Sequence, residues 1–356
     1  MTDLRGMRTA SERQPVEKIS GQRPRSAADP SSGVFPGEAD VRAYDLRRTT
    51  EAAARAAFAW QGRGDKAQGD AAAIEAMDRE LTALKIRGRI LIGEGPREET
   101  SLLYHGQVFG AEWNDPEWDI AVDPVEGTSF LAKGMTNAMA CIAMAPFGTL
   151  FDPGPAFYME KLAVPPAAKG KIDPAAPVET RLADLARALG KDIEDLTIYV
   201  LEKPRHRDLV ERIHRAGARV TLYPAGDVAG ALMAGIPNSG IDALMGTGGC
   251  PEGLLSAVAI RVLGGDFFAR IDPQLATERM AVTQAGLDTT RWLGLDDMVR
   301  TDKALFCATG ITTGLLLEGV TRDGPSDRVQ SLLIGGGPET RQILTSWLPR
   351  DSKPCP

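Results

Sequence analysis

Histidine and cysteine are scarce in this chain. Three histidines (His105, His206, His214) and four cysteines (Cys141, Cys250, Cys307, Cys355) stand among 356 residues. The cysteines lie far apart and form no CxxC pair. That argues against a zinc ribbon or a disulfide framework, and fits a reducing cytosol. Three histidines leave little material for a His-rich metal site or a His-centred triad. Positive charge is also in deficit, with 41 Lys and Arg against 48 Asp and Glu and a net charge of −7. A nucleic-acid surface would need a strong local basic patch, and none is evident. No run approaches 18 apolar residues, so no membrane span is expected.

What is present is ordinary for a globular protein: 43% hydrophobic and 25% charged residues. The length allows a large core and two domains. Residues 1–40 stand apart. They are rich in Arg, Ser, Pro and Gly and lack apolar periodicity. Asp3, Glu12 and Glu17 count against a transit peptide, and the segment reads as a disordered tail.

Helix and strand patterns begin at Val41. "VRAYDLRRTTEAAARAAFAW" is an Ala-rich helix broken by "GRGDK", Gly62–Lys66. "DAAAIEAMDRELTALK" is a second helix, with Asp70 at its N-terminal end and Ile74, Met77, Leu81 and Leu84 on one face. "GRILIGEG" is a short strand running into Glu94. "WDIAVD" and "NAMACIAMAP" are apolar strands that should pair. The second half alternates strands ("LTIYVLEK", "ARVTLYP", "SGIDALMG") with helices ("RHRDLVERIHRAG", "DVAGALMAG", "PEGLLSAVAIRVLGG"), which predicts a parallel or mostly parallel sheet. "ALFCATGITTG" is a late strand returning to a sheet.

In such sheets the ligand side lies at the carboxyl ends of the strands. Three successive strands lead there to Lys203, Arg205 and His206, to Gly226 and Asp227, and to "GTGGCPEG", Gly246–Gly253. The last opens a helix, so its N–H groups could cradle a phosphate, although a plain turn explains it equally well. The acidic residues supply the other half. Asp70, Glu94, Asp123, Glu126 and Glu252 each sit at the end of an element. Singly, Asp70 could cap a helix, Glu94 could pair with Arg97, and Glu252 could favour a helix dipole. Asp123 and Glu126 leave a buried strand, so a backbone turn, a basic partner or a metal ion must replace their lost water. If all five converge, the oxygen-only site suits Mg²⁺ or Mn²⁺ and points to phosphoryl transfer or hydrolysis.

"GRGDK", "IGEG", "DIAVDPVEGT", "YMEKLAV", "KPRH", "GDVAG", "GGCPEG" and "ATGIT" occur in the order seen in class II fructose-1,6-bisphosphatases. The chain resembles that family from about Val41 to about Gly336. The shorter D-P-[ILV]-[DE]-G-[ST] element is shared with inositol monophosphatase-like and class I sugar phosphatases. The branch rests on "YMEKL", "KPRH" and "CPEG".

The resemblance implies a layered α/β/α/β/α sugar-phosphatase fold. It also implies an N-terminal α/β domain over residues 41–190, a C-terminal α/β domain over 191–345, and a tail over 346–356. Asp70 and Glu94 correspond to ligands of one metal, and Asp123, Glu126 and Glu252 to ligands of a second. Thr128 corresponds to the residue that orients the attacking water, and Lys66 to a nearby charge. Glu126, Gly127, Thr128, Tyr158, Lys203, Pro204, Arg205, Gly226, Asp227 and Gly249 match substrate contacts. The implied reaction is hydrolysis of the 1-phosphate of fructose 1,6-bisphosphate, with sedoheptulose 1,7-bisphosphate as a further substrate. The implied setting is a cytoplasmic homo-oligomer, dimer or tetramer, without nucleic-acid or membrane partners.

Three departures stand out: Pro96 where the family has an acid after "GEG", Ala225 in place of an acid before "GD", and a short segment between Gly265 and Asp302. An inositol-monophosphatase-like enzyme would have no use for Lys203 and Arg205 as an anchor for a second phosphate. A catalytically inactive phosphosugar sensor would not need Asp123, Glu126, Thr128 and Glu252 intact.

Overall fold

Apolar runs without alternation imply strands covered on both faces, and two such runs build the centre of the first sheet. The computed structural model describes residues 43–84, 86–110, 116–335 and 341–350. The tail at 1–40 therefore lies outside the described residues. The first sheet contains β1 (Gly88–Ile92), β2 (Val108–Phe109), β3 (Trp118–Glu126) and β4 (Met139–Pro146) from the N-terminal half. A second sheet follows, of β5 (Tyr158–Val164), β6 (Thr197–Leu201), β7 (Arg219–Tyr223), β8 (Ala243–Gly249) and β9 (Asp266–Ile271). The chain then returns to the first sheet through β10 (Leu305–Gly310), β11 (Thr321–Asp323), β12 (Ser326–Ile334) and β13 (Arg341–Pro349).

The helices are α1 (Ala43–Phe58), α2 (Lys66–Ala83), α3 (Thr128–Ala132), α4 (Val178–Leu189), α5 (Arg207–Arg215), α6 (Asp227–Gly235), α7 (Cys250–Leu263), α8 (Ala276–Gln284) and α9 (Leu295–Met298). They form three layers around the two sheets. On β4, Ala140, Ile142 and Met144 meet Leu46, Ala53 and Met77 of α1 and α2. The alternate residues Met139, Cys141 and Ala143 meet Leu232 of α6 and Leu254 and Val258 of α7. β5 repeats the pattern, with Met159 and Ala163 in the central layer and Leu162 and Val164 against Leu182, Leu185 and Ile213 of α4 and α5. The order is α/β/α/β/α. α7 is buried from Cys250 through Ile260 apart from its half-buried Pro251 and Glu252, as its nearly all-apolar sequence requires of a central helix.

In the second sheet β6 runs parallel to β7 and β8, as the alternation predicts, while β5 inserts antiparallel between β8 and β9. β5 enters before the alternating segment begins, so strand–helix alternation says nothing about its direction. The first sheet is mostly antiparallel, with β1 and β3 its parallel pair. The sheets are not contiguous in sequence: β5 precedes residue 190 yet joins the second, and β10 to β13 rejoin the first. Residues 346–349, expected in a tail, belong to β13, which pairs with β12 from Arg341 to Pro349.

Two local expectations are corrected. The second helix begins at Lys66, capped by Asp65 accepting from the Gln68 N–H at 3.1 Å, so Asp70 is not a cap. Its carboxylate is left for another use. The Gly-rich run is no free turn either. β8 continues to Gly249 and pairs with β5, the Cys250 N–H donates to the Phe157 carbonyl at 2.8 Å, and Pro251 has no N–H. The expected N–H cradle at this point is thus largely spent on the fold.

Candidate active site

Asp123 and Glu126 are three residues apart, so a regular strand would send them to opposite faces. β3 is not regular there. Asp123 pairs with Cys141 and Glu126 with Met139, so three steps on β3 answer two on β4. The extra residue is a bulge beside Pro124, which cannot donate to the ladder. It turns Glu126 back to the face of Asp123. Gly127 follows at φ +86°, where a Cβ would lie 2.6 Å from the Phe130 ring. Glycine is required there on both counts, and it starts α3 at Thr128. Glu252 approaches from the first turn of α7. Carboxylate oxygens of Asp123, Glu126 and Glu252 come within 4.8 Å of one another.

These three line one cavity of about 650 Å³ with Asp70, Glu94, Gly127, Thr128, Tyr158, Lys203, Arg205, Gly226, Asp227 and Gly249. Lys66 and Pro204 do not line it. Lys66 is exposed and donates to the Ser129 hydroxyl at 2.8 Å, so it touches the lining through Ser129. Pro204 opens the turn Pro204–His206 and faces a neighbouring groove. His206 is a buried bracket rather than a rim group. Its Nδ1 lies 2.7 Å from the Leu201 carbonyl and its Nε2 accepts from the Thr247 N–H at 2.7 Å. Arg205 donates through Nε and Nη2 to the Thr247 carbonyl at 3.0 and 2.7 Å, with its guanidinium 5.2 Å from the Tyr158 ring centroid. Tyr158 is anchored in turn by Glu278, which accepts the N–H groups of Phe157 and Tyr158 at 2.7 and 2.8 Å.

The electrostatics are those of an acidic cluster short of positive charge. Burial pushes the Asp123 carboxyl well above the carboxylate range, and Glu126, Glu252, Glu94 and Asp70 push the same way. Burial, then Asp227 and Glu252, raise Glu126 well above its ordinary value. Glu252 is raised by burial and Asp227, with Lys161 opposing. Glu94 is pushed up to about 8 by burial, then by Asp70 and Glu252. Burial raises Asp70. One Glu252 oxygen, Oε2, is buried without a hydrogen-bond partner. An orphaned oxygen among mutually repelling carboxylates fits a divalent cation, whose charge would return all five to the ionised state. The donor set is oxygen throughout, the chemistry of a hard cation.

The sequence reading missed Lys161, Ser129 and Glu278. Lys161 had a signal: a lysine flanked by Leu162, Ala163 and Val164 in a strand buried on both sides must find an acid. Glu278 had none, because its partners are backbone N–H groups 120 residues away.

Residues 41–347 match the family described as bacterial fructose-1,6-bisphosphatase, glpX-encoded. The chain belongs to that family. It is 41% identical to fructose-1,6-bisphosphatase 1 class 2 of Escherichia coli K12 over 317 residues, which is 85% of this chain and 94% of that protein. A Shigella flexneri protein, fructose-1,6-bisphosphatase class 2, matches at the same 41% identity and the same coverage, 85% of this chain and 94% of its own. Among solved structures, an extragenic suppressor from Pyrococcus furiosus aligns at 15% identity over 54% of this chain and 69% of its own, with a TM-score of 0.28. That likeness carries no argument. Membership in the family agrees with the layered α/β architecture and with the acidic cavity. Among the described residues no helix is long and apolar enough to cross a membrane.

Proposed function

We propose that this protein hydrolyses the 1-phosphate of fructose 1,6-bisphosphate to fructose 6-phosphate and inorganic phosphate. The observation that carries the reading is a single cavity holding both a five-carboxylate cluster and the cations Lys203 and Arg205. The carboxylates serve the reacting phosphate, and the cations suit the phosphate that does not react. We read the metal ligands as Asp70 and Glu94 for one ion and Asp123, Glu126 and Glu252 for a second, with Mg²⁺ or Mn²⁺ as the ions. Bound there, such ions supply a more acidic water and neutralise charge on the phosphate oxygens.

The residues of the chain do the rest. Thr128, the first residue of α3, holds the attacking water in line with the bond to be broken. Water oxygen bonds to phosphorus as the bond from phosphorus to the sugar oxygen breaks, and that oxygen leaves with a proton. Tyr158 and Gly249, paired across β5 and β8, form the opposite wall. Gly226 and Asp227 at the start of α6 face the sugar. Lys66, reaching in through Ser129, adds positive charge at the rim. A cytoplasmic homo-oligomer, dimer or tetramer, completes the reading, and the buried free thiols of Cys141, Cys250 and Cys307 support a reducing compartment.

Arg205 provides the test. Nε and one Nη2 hydrogen are committed to Thr247, which leaves the Nη1 edge of the fork for phosphate. A charge-assisted hydrogen bond of this type is worth about 1.5–3 kcal/mol, or roughly 10–150-fold in kcat/KM. Arg205→Ala is expected to cut kcat/KM for fructose 1,6-bisphosphate by that range. Hydrolysis of p-nitrophenyl phosphate, which has no second phosphate, should change far less. Equal losses on both substrates would assign Arg205 to the reacting phosphate or to the fold.

A further inference from the structure

Lys161 places a charge where β5 has no contact with water. The residue is 1% exposed. Along β5 it shares a face with Met159 and Ala163, so its side chain enters the central layer. Nζ donates to Asp227 Oδ2 at 2.5 Å. Two glycines open the path. A Cβ on Gly253 would lie 3.1 Å from Lys161 Cε, and a Cβ on Gly248 would lie 3.1 Å from Nζ and 2.0 Å from Asp227 Oδ2. A side chain at Gly248 would displace the Asp227 carboxylate, and one at Gly253 would collide with Met159 Sδ at 2.3 Å and crowd the lysine. The pair is therefore built by four residues on four elements: Lys161 on β5, Gly248 on β8, Asp227 on α6 and Gly253 on α7.

Fold stability does not call for such a pair. Taking both charges out of water costs about as much as their attraction returns, and an apolar pair of similar volume is often at least as stable. What the pair does secure is direction. Asp227 is 6% exposed and lines the cavity. With Oδ2 held by the ammonium, rotation of the carboxylate is restrained, and Oδ1 has no hydrogen-bond partner among the described residues. The neighbouring Val228 N–H donates to Glu126 Oε1 at 3.0 Å, so the start of α6 is fixed at both residues.

We propose that Lys161 is a positioning residue for substrate choice. It locks the Asp227 carboxylate so that Oδ1 accepts a hydroxyl of the sugar, favouring polyol phosphates over aryl phosphates. A carboxylate oriented by an ammonium favours a hydroxyl placed to meet its free oxygen, and p-nitrophenyl phosphate has no hydroxyl to offer there. This inference rests on the sugar-phosphatase reading of the same cavity.

The experiment compares fructose 1,6-bisphosphate with p-nitrophenyl phosphate at saturating Mg²⁺ or Mn²⁺. It uses the full chain, Lys161→Met, Asp227→Asn, the double variant and Gly248→Ala. Lys161→Met is expected to lower kcat/KM for the sugar bisphosphate by about 10-fold or more, with KM raised, and for the aryl ester by less than about 3-fold. In the Asp227→Asn background the same substitution should add less than about 2-fold, because its effect passes through Asp227. Gly248→Ala pushes the carboxylate aside with Lys161 intact, so it should reproduce the loss of discrimination. It carries the test alone if Lys161→Met does not fold. Equal losses on both substrates, or an undiminished effect of Lys161→Met in the Asp227→Asn background, would overturn the proposal. Failure of the unsubstituted protein to turn over either substrate would overturn the phosphatase reading instead.

Discussion

Stripped of divalent cations, the protein should become less stable to heat as the pH rises from about 5 to about 9. The sign follows from Glu94, whose carboxyl is pushed up to about 8 from an ordinary 4.5. Its stability contribution is fully present below the unfolded value and is lost as pH climbs through the folded one. Asp70, Asp123, Glu126 and Glu252 are raised in the same direction, so they add to the loss. Glu94 alone implies a few kcal/mol, and for a chain of this size that lowers Tm by roughly 10 °C. Mg²⁺ or Mn²⁺ added at pH 8 should restore the loss, because a bound cation supplies the missing countercharge and stabilises the native state by mass action. Differential scanning fluorimetry across pH, with and without cation, reads both effects. A melting temperature flat in pH and indifferent to cation would mean that the carboxylates do not form one uncompensated cluster.

The second large effect belongs to the bulge of β3. Asp123→Asn and Glu126→Gln are each expected to lower kcat by at least about 100-fold, since each would remove a charged ligand from the proposed cation site. Both variants should fold. Asn can still accept the Val125 N–H that Asp123 Oδ1 accepts at 3.1 Å, and Gln can still accept the Val228 N–H. Steady-state kinetics beside a circular-dichroism melt separates chemistry from folding. A folded variant with near-normal turnover would remove that residue from the ligand set.

The contrast between these carboxylates and Lys161 shows where sequence reasoning reached. Asp123, Glu126 and Glu252 were legible because each ends an apolar element, where an acid is costly unless used. Their convergence was not derivable from spacing, because it depends on a bulge that reverses the face of Glu126. The layered fold came from the family resemblance; the apolar runs of β3 and β4 showed only strands that should pair, and the alternation from β6 to α7 only a mostly parallel sheet. The direction of β5 was not, because it is set by neighbours from the other half of the chain. His206 looked like a rim residue beside Arg205. Its burial follows from the tight Pro204–His206 turn, which points successive side chains to different sides. The Gly-rich run looked like an anion cradle because strand pairing by glycines leaves no apolar signature. Asp70, expected as a metal ligand, could also be read as a cap because the true cap, Asp65, sits in a motif rich in glycine.

This cavity is proposed to hydrolyse a sugar bisphosphate with the help of cations held by its carboxylates. The most direct measurement is phosphate release from fructose 1,6-bisphosphate, sedoheptulose 1,7-bisphosphate, fructose 6-phosphate and inositol monophosphate, after exhaustive chelation and after readdition of Mg²⁺ or Mn²⁺. The expected result is no release after chelation, restored release of one phosphate per fructose 1,6-bisphosphate, and little from either monophosphate. Full release at verified negligible metal content, or faster release from inositol monophosphate than from the bisphosphate, would contradict it.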